Sequence, residues 1–346
     1  MKILHMLTTL TYGGIETMIT NMVNIQSKYA DVYMLIINRD VSPTLIDNIS
    51  DRVKIIRFNR RPRSEYIKTV LRINYLLLKI NPDIIHIHVL PLIKTIPLFW
   101  RKKTCCTVHG IMNFDKNLYS YKHVFSVSET TKDYLNKYNI SSSVVYNGIP
   151  THVFNTKSTY NLTKTFRIVN IGRLLIQIKR QDILVEAAYI LKCRGINNIR
   201  IDIIGEGESA EELKTKVKGL ELEDIIRFSG NHTQEYIHKH LCEYDLLVNC
   251  SYSESFGLTV AEGMAAKIPV LISSNTGACE VIKNGEYGYI FENGNAADCA
   301  DKIAKIMTLT NTEINNKTNA ALDYVRATFD INVTAKKYLD EYSKII

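Results

Sequence analysis

Two glutamates eight residues apart, Glu254 and Glu262, bracket the segment Ser255-Phe256-Gly257-Leu258-Thr259-Val260-Ala261. A helix starting near Gly257 would leave the amides of Gly257 and Leu258 without intrahelical partners, and such a terminus favours phosphate oxygens. A carboxylate on the first turns of that helix, Glu262, could accept hydrogen bonds from ribose hydroxyls, as an acidic residue does in dinucleotide-binding folds. A loop acid followed by a solvated helix acid is the plainer alternative. Upstream, Ile171-Gly172-Arg173 closes a strand, and Lys179 follows where a helix begins. The planar fork of Arg and the mobile point charge of Lys together suit a diphosphate. Cations at a helix start oppose the macrodipole, and a bound anion would supply a reason for them. Ile204-Gly205-Glu206-Gly207-Glu208 is a further tight turn, equally suited to a nucleotide pocket and to an ordinary βα loop. Gly13 and Gly14 open a helix after the first strand and permit close backbone approach, though a plain βα turn would use them too. The run is not GxGxxG, so the dinucleotide fingerprint is absent. His86 and His88 alternate on a strand and face the same way. Zinc could use such a pair, but no third ligand is evident, and a structural strand-end pair is the simpler reading. His109 by itself reads as a core or cleft histidine.

The elements that position these residues follow from the apolar pattern. Short β-branched runs recur at Val32–Ile37, Val53–Arg57, Ile84–His88, Thr104–Val108, Val124–Val127 and Val144–Tyr146, with amphipathic segments such as Ile15–Gln26, Tyr66–Ile80 and Glu129–Tyr138 between several of them. A polar stretch, Asn155–Lys164, interrupts the alternation, which restarts at Phe166–Ile171 and continues through Ile199–Ile204, Ile226–Ser229, Leu246–Asn249 and Val270–Ile272. Strand and helix in alternation predict two doubly wound α/β domains, each a parallel sheet covered on both faces. The tail from Asn295 to Ile346 reads as mostly helical. In such folds ligands bind outside the carboxyl ends of the strands, so the crevice between two domains is the first place to look.

A length of 346 residues suits two domains, and 46% hydrophobic with 23% charged residues is globular composition. No apolar run approaches the ~20 residues that span a bilayer. The opening residues read as a buried first strand without a signal-peptide pattern. Seven cysteines form no CxxC pair, which argues against a disulfide framework and for a reducing cytoplasm. Charge is lopsided. Residues 1–150 hold 20 Lys and Arg against 10 Asp and Glu, a surplus of +10, whereas residues 151–346 hold 23 against 25, giving the net +8. The densest basic stretch contains Arg57, Arg60, Arg61 and Arg63, followed by Lys68 and Arg72. A one-sided basic domain suggests an anionic partner, phosphate groups, a membrane surface or nucleic acid, with a plain solvated surface as the alternative; against nucleic acid, the cluster lacks interleaved aromatics and any reading motif.

The segment Glu254-Ser255-Phe256-Gly257-Leu258-Thr259-Val260-Ala261-Glu262 resembles the E-x7-E motif of the family 4 glycosyltransferases, which have the GT-B fold. The resemblance extends to Gly13-Gly14, Asp83–His88, Thr107–Gly110, Asn147-Gly148-Ile149, Gly172-Arg173-Leu174, Pro269-Val270 and Thr276-Gly277 with Glu280. It implies GT-B architecture, two Rossmann-like domains facing a deep cleft: an acceptor-binding domain at 1–155, onto which a C-terminal helix at about 330–346 packs back, and a nucleotide-sugar domain at 156–329. It implies that Arg173 and Lys179 neutralise the donor diphosphate and that Glu262 holds the ribose. Glu254 would lie near the donor sugar, Phe256, Gly257 and Leu258 would give backbone contacts, and His109 would meet the sugar at the reacting centre. Gly13 and Gly14 would let the acceptor and donor phosphates approach. Read from their turn alone, Gly205 and Glu206 would line the donor site or belong to a plain βα loop, and Arg57, Arg60, Arg61, Arg63, Lys68 and Arg72 would face the acceptor or membrane.

The implied reaction retains anomeric configuration. The donor is a nucleotide sugar, UDP-linked in preference to GDP-linked, and the acceptor a membrane-associated glycan such as a polyprenyl-diphosphate-linked oligosaccharide. The enzyme would work peripherally on the inner face of the cytoplasmic membrane. Fixed cations and helix amides can stabilise a departing diphosphate without a metal, and no Asp-x-Asp motif is present, so neither metal nor other cofactor is expected. Two departures stand out: Lys179 lies one residue further from Arg173 than the family spacing, so the loop bulges or Arg180 shares the role, and Lys267 occupies a helix-ending position where glycine is usual. A nucleotide-sugar epimerase of the same architecture and a non-catalytic sugar-nucleotide-binding protein are the competing readings.

Overall fold

The structure, a computed structural model, describes residues 1–11, 13–61, 65–110, 114–160 and 165–346. These form two compact units: Met1–Ile149 with Asp330–Ile346, and Pro150–Phe329.

The first unit is built on β1 (Lys2–Leu7), β2 (Asp31–Asn38), β3 (Lys54–Arg60), β4 (Ile84–Ile87), β5 (Thr104–Val108), β6 (His123–Ser126) and β7 (Ser143–Val144). Their order is β3-β2-β1-β4-β5-β6-β7, and every pairing is parallel. Such strands are covered on both faces and therefore read as continuous apolar runs. Alternate side chains divide between two cores: Ile3 and Leu7 enter one, Leu4 and Met6 the other.

The chain returns to this unit at its end. Ile331 N–H donates to the Ile149 carbonyl at 2.9 Å, Thr334 Oγ1 donates to the Tyr146 carbonyl, and the helix Ile331–Ser343 buries Tyr338 and Tyr342 against the sheet. Each buried ring contributes on the order of 2 kcal/mol of apolar burial.

The second unit carries β8 (Phe166–Ile171), β9 (Ile199–Ile204), β10 (Ile226–Gly230), β11 (Leu246–Asn249), β12 (Val270–Ser273) and β13 (Tyr289–Phe291), in the order β10-β9-β8-β11-β12-β13, again all parallel. Both units are thus doubly wound, Rossmann-like α/β folds, with strand order reversing between β1 and β4 in the first and between β8 and β11 in the second.

The boundary falls at Ile149/Pro150, earlier than residue 155, because Phe154 stacks edge-on against His238 and Asn155 N–H bonds the His238 carbonyl, both inside the second unit. β13 has no counterpart in the apolar pattern; three residues are too few to show a period.

Candidate functional site

In the second unit the sequence motifs converge on the carboxyl ends of the central strands. Arg173 follows β8, Gly205 and Glu206 follow β9, and Glu254 to Leu258 follow β11. The first two loops touch through their backbones: Leu174 N–H donates to the Glu206 carbonyl at 2.9 Å. A Cβ on Gly205 would sit 2.0 Å from the Gly172 oxygen, so this turn admits no side chain. Arg173 is exposed, its carbonyl held by Gln181 Nε2 at 3.0 Å and its fork 3.2 Å from Glu208. Both partners are largely solvated, and such a pair is worth about 0–1 kcal/mol, so an incoming anion can displace Glu208 readily. Glu206 is exposed and accepts from Asn231 Nδ2 at 2.9 Å.

Between Arg173 and Lys179 the loop bulges through a one-turn helix, Ile176–Lys179, followed by Arg180 in the left-handed region at φ 49°. Arg180 is clamped by both oxygens of Asp182, whereas Lys179 Nζ lies 2.6 Å from Glu254 Oε2. Ser251 Oγ donates to the same oxygen at 3.3 Å, and Tyr252 N–H binds the Ile178 carbonyl at 2.7 Å, which ties the bulge to the loop after β11.

Gly257 begins the helix Leu258–Ala265 at φ 95°, ψ 63°, with no side chain capping the terminus. A side chain there would be strained and would press on Ala278 Cβ at 2.9 Å. Phe256 is buried edge-on against Phe329, so its ring anchors the loop and leaves only its backbone for a ligand. Glu262 is 8% exposed, and among the described residues no hydrogen bond reaches its carboxyl group. Burial pushes its pKa up to about 8.

In the first unit, Gly13 and Gly14 stand at the start of the helix Gly14–Gln26, where the Glu16 carboxylate folds back to within 2.3 Å of a Cβ built on Gly13. That carboxyl occupies the positive helix end, and burial raises its pKa. His109 follows β5. His86 and His88 are joined by a third imidazole, His5, whose β1 register places it beside His86. Ring nitrogens of these three lie within 4.8 Å of one another, a grouping that could hold a metal ion. Hydrogen bonding already engages all six nitrogens: His5 with Gln26 and His88, His86 with Tyr342 and Thr107, His88 with His5 and His109.

On the basic face, Arg57 and Lys68 are exposed and Arg61 is exposed at the end of β3. Arg60 instead binds Asn38 Oδ1 at 3.1 Å, and Arg72 covers the Phe58 ring at 3.9 Å while bonding the Phe58 carbonyl. Arg63 lies outside the described residues. The helix Tyr66–Ile80 buries Ile73, Leu77 and Ile80 yet leaves Ile67, Leu71, Tyr75 and Leu78 65–75% exposed. A groove of about 430 Å³ lined by Phe58, Leu71, Arg72, Tyr75, Leu76 and Lys79 runs along it.

Glu208, Ser251, His5 and Gln26 carry contacts in these sites that the motifs did not single out. Glu208 sits within the Gly-Glu-Gly-Glu turn itself, and the 3-2-1-4 strand order of a doubly wound sheet would have brought His5 beside His86.

Two family models match the chain: "Glycosyltransferase Family 4" over residues 12–153 and "Glycosyl transferases group 1" over residues 155–322. Together they take in both units, and the chain belongs to the family 4 glycosyltransferases of GT-B fold. Among curated relatives, N-acetyl-alpha-D-glucosaminyl L-malate synthase of Bacillus anthracis is 29% identical over 178 residues, 49% of this chain and 45% of that protein. The amylovoran biosynthesis glycosyltransferase AmsK of Erwinia amylovora is 31% identical over 155 residues, 43% of this chain and 38% of that protein. The chain thus spans less than half the length of these relatives. The fold is shared with HepE of Anabaena, solved in complex with UDP and glucose, at TM-score 0.82, with 17% identity, 99% of this chain and all of that one covered.

Proposed function

We propose that this protein is a retaining, metal-independent glycosyltransferase. It moves a sugar from a nucleotide-sugar donor, a UDP-sugar in preference to a GDP-sugar, to a membrane-associated glycan in bacterial surface polysaccharide synthesis. The observation that carries this reading is the set of groups that follow β8 and β11, the strands at the reversal: Arg173, the Lys179–Glu254 pair, the uncapped helix start at Gly257 and the buried carboxyl of Glu262. The bond between the anomeric carbon and the diphosphate breaks as the acceptor hydroxyl oxygen bonds that carbon on the same face, and the hydroxyl proton passes to the departing diphosphate oxygen. The diphosphate leaves with the electron pair, and its charge is met by the guanidinium, the ammonium and the amides of Gly257 and Leu258. Glu254 keeps Lys179 in place beside the leaving group. Glu262, with no hydrogen-bond partner among the described residues, suits two vicinal ribose hydroxyls. In the first unit, His109 is assigned to the sugar. The relative named for amylovoran biosynthesis supports a polysaccharide acceptor; a second reading, a small carboxylic acid as acceptor, is supported by the relative named an L-malate synthase.

The exposed apolar residues of Tyr66–Ile80, beside Lys68 and Lys79, support a peripheral anionic-membrane contact. Among the described residues no helix is long and apolar enough to cross a membrane. The seven cysteines are free thiols, which suits a reducing compartment and a position on the inner membrane face.

The test is transfer from radiolabelled UDP- and GDP-sugars in excess chelator, with a lipid-linked oligosaccharide, with L-malate, and with no acceptor. Acceptor-dependent transfer that survives chelation is expected, and Arg173→Ala should lower kcat by about 100-fold. Isomerised donor without transfer would identify an epimerase. Binding without turnover would identify a sugar-nucleotide-binding protein.

A further inference from the structure

We infer that Gln26, His5 and His88 form a directed hydrogen-bond relay that fixes the tautomer of His109 and presents its Nδ1 as an acceptor for a sugar hydroxyl. The inference rests on the glycosyl-transfer reading for the identity of the hydroxyl, but the relay stands on its own geometry. His5 Nε2 lies 2.8 Å from Gln26 Oε1, His5 Nδ1 lies 3.1 Å from His88 Nε2, and His88 Nδ1 lies 3.3 Å from His109 Nε2. A neutral imidazole has one N–H and one lone pair, so each link dictates the next. The Gln26 amide turns Oε1 toward His5 and leaves Nε2 without a hydrogen-bond partner among the described residues; with this orientation Oε1 can only accept, so His5 carries its proton on Nε2 and offers Nδ1 as a lone pair. His88 must then donate through Nε2 and accept through Nδ1, and His109 must donate through Nε2. The last lone pair, on His109 Nδ1, is left over.

That atom is buried and, among the described residues, has no hydrogen-bond partner. An orphaned buried acceptor is uncommon, costs about 1–3 kcal/mol, and is relieved by any donor that reaches it. A sugar hydroxyl is such a donor. The rings are held in place as well as in tautomer: His5 and His88 are stacked with centroids 5.4 Å apart, and His88 and His109 with centroids 5.6 Å apart. Burial also keeps the relay uncharged. His5 and His109 are pushed down to about 4, and His88 well below its ordinary range by burial and by the neighbouring imidazoles. At neutral pH the relay therefore conducts orientation without holding a proton in excess. Gln26, His5 and His88 are positioning residues: they touch His109 or one another, and the substrate meets only His109.

The decisive measurement is a long-range proton–nitrogen correlation spectrum of the full chain labelled with 15N-histidine at neutral pH. The expected result is the Nε2–H tautomer at His5, His88 and His109, with the His109 Nδ1 signal shifting when donor and acceptor analogue are added. A proton on Nδ1 of His109 would overturn the proposal. Gln26→Met removes the acceptor that sets the direction. It should let the tautomers mix, lower kcat about 10-fold or more and leave the donor KM unchanged. If Gln26→Met keeps the Nε2–H tautomers and full kcat, the relay does not act on His109. If that variant fails to fold, the spectrum of the unaltered chain still decides. Absence of transfer by the unaltered chain would sink the functional reading instead, and the tautomers would be unaffected by it.

Discussion

Glu262 is the residue whose environment contrasts most with its chemistry, a carboxyl group nearly without water and, among the described residues, without a hydrogen bond. Raised from 4.5 to about 8, it is protonated in the folded, ligand-free chain at neutral pH and ionised in the unfolded one. The stability it confers is fully present below pH about 4.5 and is lost as the pH rises through about 8, at up to about 1.4 kcal/mol per pH unit. Urea denaturation across this range should show a decline that Glu262→Gln removes; parallel profiles for the two proteins would contradict it. Ribose hydroxyls donating to the carboxylate favour its ionised form, so nucleotide binding should release a proton. UDP affinity should then gain on that of the Gln variant between pH 6 and 8, read by calorimetry in buffers of different ionisation enthalpy. Glu254 and Glu262 stand out in the sequence because they lie eight residues apart in one short segment, and Arg173 because it closes a strand directly after a glycine. His5 does not, since it meets His88 from 83 residues away and only the sheet order brings them together.

At the scale of elements, the strands were legible nearly to the residue where both faces are buried. Phe166–Ile171, Ile199–Ile204 and Leu246–Asn249 end where the apolar runs end. Helix termini were less so, because caps and left-handed residues depend on tertiary contacts. Arg180 and Lys267 both adopt positive φ, at 49° and 57°. The first accommodates the bulge that aims Lys179 at Glu254. The second ends the helix Leu258–Ala265 in the geometry glycine prefers, and no chemistry attaches to it. Lys267→Gly should therefore stabilise the chain by about 1 kcal/mol, seen as a higher urea midpoint, with transfer unchanged. The Tyr160 hydroxyl bond to the Lys267 carbonyl is available to either residue. A lowered midpoint would mean that the lysine side chain itself holds the helix end. The helix Tyr66–Ile80 divides its apolar residues between core and solvent. Its periodicity alone could not show that division, since both faces are apolar in part.

Across the whole molecule, the basic surplus of residues 1–150 and the exposed Ile67, Leu71, Tyr75 and Leu78 belong to the same unit. Vesicles containing anionic lipid should float with the protein at low salt and lose it as salt rises, and Leu71→Glu with Leu78→Glu should abolish binding. Binding that ignores both salt and these substitutions would remove the membrane from the account. The doubly wound architecture of both units was legible from alternation alone, whereas the crossing of the chain back to the first unit at Asp330 came only with the family resemblance, because no local pattern marks it. In the proposed reaction the β8/β11 reversal of the second unit holds the diphosphate and ribose of a nucleotide. A crystal structure with bound UDP tests it most directly. The diphosphate should lie against Arg173, Lys179 and the amides of Gly257 and Leu258, with a ribose hydroxyl on Glu262. A nucleotide bound away from Arg173 and Glu262 would contradict it.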